Sequence, residues 1–96
     1  MKTRIELIQM RNEIMDIASK YGINNIKVFG SVARGESNLS SDIDFLVNFE
    51  EGRTLFDLIS FKNELEELLS SKVDVISENA IHWYLKDRII QEAVEI

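Results

Sequence analysis

Apolar residues recur at helical spacing in the opening segment, where Leu7, Met10, Ile14, Ile17, Ala18 and Tyr21 fall on one stripe. Thr3 with Glu6 three residues on reads as a capping box and Gly22 as a stop, so a helix is predicted over 3–21. The period then shortens. Residues 26–30 are a β-branched and aromatic run, and residues 42–47 alternate polar and apolar, so both read as strands. Thr54, with Asp57 in the first turn, opens a second long helix whose buried face is Leu55, Leu58, Ile59, Phe61, Leu65, Leu68 and Leu69. Residues 72–76 form a third strand. Asn79 is expected to cap a last helix over roughly 80–95.

That last helix carries two apolar stripes. Ile81, Leu85, Ile89, Ala93 and Ile96 fall on one side of a 100° wheel, and Trp83, Ile90 and Val94 nearly opposite. One stripe packs a terminal helix, so the second is expected to form a partner surface. The order α, β, short helix, β, α, β, α describes a small α/β (α+β) layer fold, a sheet of about three strands with helices packed on it. Residues 1–96 make one domain near the lower end of what buries its own core.

Composition narrows the class. At 45% hydrophobic and 29% charged the chain is globular, and no apolar run approaches the roughly 20 residues of a membrane span. There is no cysteine, hence no disulfide and no thiolate metal site, and a cytoplasmic location is expected. The net charge of −6, with Lys and Arg scattered, argues against long nucleic acids as partners. Small phosphates remain compatible, because bound cations reverse a local field.

The candidate chemistry lies between Gly30 and Val47. Strand alternation sends Asp42 and Asp44 to one face, about 7 Å apart at their Cα atoms, and Ile43, Phe45 and Val47 to the core. Two such carboxylates repel, and a hard divalent cation such as Mg²⁺ resolves the repulsion. Asp74, between Val73 and Val75, disagrees with its β-branched strand and is the third candidate. Three carboxylates can hold two Mg²⁺ ions about 3.5–4 Å apart, the spacing used for in-line phosphoryl displacement. On the other side, Gly30 lets the backbone approach a ligand, and a short helix from Val32 to about Gly35 aims its N–H groups at an anion. Ser31 is placed to cap that helix and to donate to a phosphate oxygen; Arg34 is placed to pair with either a phosphate or a carboxylate.

Residues 30–47 read Gly-Ser-X-Ala-Arg-Gly, five residues, Ser-Asp-X-Asp-X-X-Val, and residues 73–76 read Val-Asp-Val-Ile. This resembles the minimal nucleotidyltransferases of the DNA polymerase β-like superfamily, and the resemblance covers essentially the whole chain. It implies a mixed sheet on which Asp42, Asp44 and Asp74 ligate Mg²⁺, Asp74 also activating an acceptor hydroxyl. Nucleotide binding falls to Gly30, Ser31, Arg34 and Ser41, the substrate being an NTP, usually ATP. The implied reaction is attack of a hydroxyl on the α-phosphate with release of pyrophosphate.

Larger members carry a further domain for the acceptor. This sequence stops at Ile96, so the acceptor surface is expected on another chain. Members of this size resemble antitoxins of HEPN toxins, RNases silenced by addition of AMP. The acidic charge and the Trp83, Ile90 and Val94 stripe fit a protein partner. Two other readings remain open at this stage: transfer to a small hydroxylated molecule with a HEPN-type subunit, and neutralisation of a toxin by binding alone.

Overall fold

The computed structural model describes residues 3–36, 42–80 and 83–96, with the side chains of 79 and 83–85 excepted. Among the described residues five helices and four strands follow in the order α1 (Arg4–Gln9), α2 (Arg11–Lys20), β1 (Ile23–Phe29), α3 (Gly30–Arg34), β2 (Ile43–Phe49), α4 (Leu55–Leu69), β3 (Val73–Ser77), a 3₁₀ turn (Glu78–Ala80), α5 (Trp83–Glu92) and β4 (Val94–Glu95).

The strands form one mixed sheet in the order β3-β2-β1-β4. β1 is antiparallel to both β2 and β4, while β2 and β3 are parallel and are joined by the α4 crossover. The expected three-stranded sheet therefore has a fourth, two-residue strand, cut from the end of the predicted last helix. Val94 lies opposite Val28 and packs against the core. It does not belong to an exposed stripe, because pairing with β1 turns its side chain to the buried face.

The predicted first helix divides at Met10, whose N–H is shared between the carbonyls of Glu6 and Leu7. Its capping box is present: the Glu6 N–H donates to the Thr3 hydroxyl. Thr54 and Asp57 make a second capping box at α4. Asn79 falls in the 3₁₀ turn rather than at the cap of α5, which begins at Trp83.

One face of the sheet builds the core. Ile43, Phe45 and Val47 of β2 are buried with Ile26 and Val28 of β1, Val73 of β3 and Ile96. Leu7, Ile14 and Ala18 from α1 and α2, and Phe61, Leu65 and Leu69 from α4, cover them. α2 and α4 are joined where Tyr21 meets Phe61 edge to face at 6.5 Å and where Glu64 accepts from both Tyr21 and Lys20. Leu55 and Ile59, expected in the buried face of α4, are 69% and 43% exposed beside Phe56. No described helix is long and apolar enough to cross a membrane.

Candidate active site

The opposite face of the sheet carries the acids, and the pleat explains their grouping. Burial alternates along the start of β2, with Ile43 and Phe45 inward and Asp44 between them facing out. In the parallel register Asp44 sits beside Asp74 of β3, so the two side chains leave neighbouring strands on one face, about 4.8 Å apart along the sheet. Asp42 precedes β2 by one residue and, like Asp74, is exposed. Asp44 is the partly buried floor between two exposed acids.

Electrostatics follow from this arrangement. The Asp44 carboxyl is pushed up from 3.8 to about 6, first by burial, then by the charges of Asp74, Asp42 and Glu92, with Arg34 opposing. Among the described residues no group of three or more His, Cys, Asp or Glu side chains is placed so that it could hold a metal ion, so Asp42, Asp44 and Asp74 do not form the expected three-carboxylate site ready-made. The donor set is all carboxylate oxygen.

β1 delivers the other half. Phe29 pairs with Asp44, and the chain turns at Gly30, where φ is +73°. A methyl group at Gly30 would run into the Asp44 carboxylate and sit 3.3 Å from its Cγ. The positive φ favours glycine here, and any side chain would also have to displace the Asp44 carboxylate. α3 then starts, anchored by buried Val32 and closed by the left-handed Gly35, whose N–H donates to the Val32 carbonyl while Glu36 donates to that of Ser31.

Ser31 does not cap α3 as expected. Phe29 holds the cap position, no side chain bonds there, and Ser31 lies inside the helix, partly exposed. Arg34 is paired with carboxylates: its Nε donates to Glu36 at 2.9 Å and its Nη1 to Glu92 of α5. Ser41 lies outside the described residues. On the last helix, Ile90 is 39% exposed, while the Trp83 side chain lies outside the described set. Glu92 belongs to no motif. Only its place in the last turn of a helix, the end that disfavours an acid, marks it in the sequence.

Comparison with known proteins gives a consistent picture. The nucleotidyltransferase domain family model matches residues 10–96. A candidate protein adenylyltransferase of Methanocaldococcus jannaschii is 48% identical over 88 residues, covering 92% of this chain and 95% of that protein. The solved structure of a candidate minimal nucleotidyltransferase superposes with a TM-score of 0.88 at 39% identity, covering 99% of this chain and 97% of that one. A chain from the complex of tri-AMPylated Shewanella oneidensis HEPN toxin with MNT antitoxin shares the fold at a TM-score of 0.69 and 18% identity, covering 92% of this chain and 69% of that one.

Proposed function

Because the chain belongs to the nucleotidyltransferase domain family, we propose that it is a Mg²⁺-dependent protein adenylyltransferase, moving AMP from ATP to a hydroxyl of a HEPN-type toxin and so acting, in the cytoplasm, as its antitoxin. The observation that carries this reading is the contact of Gly30 with Asp44, beside which Asp74 stands in register. It puts the backbone of the Gly-Ser turn next to a pair of neighbouring carboxylates.

The residues fit Mg²⁺ by donor chemistry. Mg²⁺ is usually held by one or two carboxylates together with substrate phosphates, not by an all-protein cage. Asp44 and its two exposed neighbours supply such an open set, and their mutual repulsion is what a cation would relieve. Asp42 and Asp44 would hold one ion, with Asp74 completing the set for a second. When bound, the metal supplies neutralisation of the charge gathering on the transferred phosphoryl group.

The protein's own part is positioning. Gly30 and Ser31 bind the triphosphate at the start of α3, and the Arg34 guanidinium stands nearby to orient it. Ser41 is assigned to the same nucleotide. Asp74 takes the proton of the acceptor hydroxyl as that oxygen bonds to the α-phosphorus and the bond to the pyrophosphate oxygen breaks. Its exposure suits an acceptor arriving on another chain.

The 48% identical relative named for protein adenylylation, and the shared fold of the AMPylated toxin complex, support a protein acceptor. The test is mass spectrometry of a HEPN-type partner after incubation with this protein, ATP and Mg²⁺. Mass gain in AMP-sized steps is expected. Tight binding without mass gain would leave neutralisation by binding, and transfer to a small hydroxylated compound alone would move the acceptor away from protein.

A further inference from the structure

The Arg34 guanidinium is gripped from two sides. Glu36, two residues along, accepts from Nε, and Glu92, 58 residues away at the end of α5, accepts from Nη1. The Glu92 side chain is the better sheltered of the two acids, 21% exposed against 65% for Glu36. α5 packs on α3 at this point. The pair therefore ties the last helix to the five-residue helix that begins at Gly30.

Helix propensity does not account for Glu92. It is the final residue of α5, where the carbonyl end of the helix disfavours a negative charge, and no basic residue shares that last turn. An exposed pair of this kind adds little to stability. An acid that opposes its own helix while meeting a motif arginine is the kind of local conflict that marks a functional site. Both partners also lie within electrostatic reach of Asp44.

We propose that Glu92 is a positioning residue of the transfer reaction, fixing Arg34 so that the rest of its guanidinium fork faces the phosphates of the bound nucleoside triphosphate. This rests on the nucleotidyl-transfer reading. The guanidinium carries five N–H donors in one plane, and the grip by Glu36 and Glu92 sets the direction of those left over. A pre-set fork loses less freedom on meeting a phosphate than a loose one. On this reading Glu92 acts through Arg34 and does not itself touch nucleotide or acceptor.

The test is calorimetric titration of AMP-PNP, with Mg²⁺ present, into the intact wild-type chain and the variants E92Q, R34A and E92Q/R34A, with a melting curve for each. Glutamine keeps the shape of Glu92 and removes its charge. E92Q is expected to bind about fivefold more weakly and R34A about tenfold, with unmoved melting midpoints. The double variant is expected to bind no more weakly than R34A alone, since Glu92 acts through Arg34. Unchanged or tighter binding by E92Q overturns the proposal, as does additivity of the two losses. Absence of AMP-PNP binding to the wild type overturns the nucleotide reading itself, and the assignment of Glu92 with it.

Discussion

A carboxyl group that keeps its proton up to about pH 6 changes the balance between folded and unfolded chain across a defined window, and Asp44 is such a group. Below its ordinary value of 3.8 it is protonated in both states and contributes no difference. Between 3.8 and about 6 the native chain holds a proton that the unfolded chain has released, so stability falls as pH rises through that range. Above it the cost of ionised Asp44 is fully expressed. Asp44→Asn removes the charge at nearly constant shape. Without divalent cations, the variant is expected to match the wild type at pH 4 and to exceed it at pH 7, read as urea midpoints. The same variant is expected to lose nucleotide transfer. A midpoint difference independent of pH would show that burial and the neighbouring acids do not act on Asp44 as described.

Elements are held here by contacts that a local pattern reveals unevenly. Ile96 is 8% exposed in the core, and the backbone oxygen of the same residue accepts from Arg11 Nε at 2.9 Å, beside the two-residue β4. Ile96→Ala is expected to cost about 2–3 kcal/mol in urea unfolding, near the low end for an aliphatic truncation because the site lies at the sheet's edge. The sequence put Ile96 on the packed stripe but read Val94 as helix, since Val94 continues the spacing of Ile90. Pairing with Val28 across β1 overrides that local period, as tertiary context commonly does for short strands. A similar limit applies to α4. Periodicity tells which residues share a face, but not how far along the helix the sheet extends, so Phe61, Leu65 and Leu69 are buried while Leu55 and Ile59 are not. Asp44 and Asp74 were legible because alternation along a strand is a local rule and their pairing needs only parallel neighbours. The carboxylate partners of Arg34 were not, because Glu92 meets it only through α5 reaching α3.

Across the whole molecule the links between strands differ in reach. β1 and β2 are joined across α3, whereas β2 reaches β3 only after the 15-residue α4, and β4 pairs back to β1 from the far end of α5. Loop closure costs less entropy for the shorter connection, so the Phe29–Asp44 end of the β1–β2 ladder is the pairing favoured to form first. The close approach of Gly30 to Asp44 lies at that end, and so has a kinetic meaning beside its chemical one. Gly30→Ala, strained by its positive φ and by the carboxylate it meets, is expected to destabilise the chain by about 2 kcal/mol. That loss should appear in the folding limb of a stopped-flow chevron, with the unfolding limb almost unmoved. A change confined to the unfolding limb would mean that the contact is made after the barrier. On the expected result, one steric fit governs how fast the protein reaches its native state.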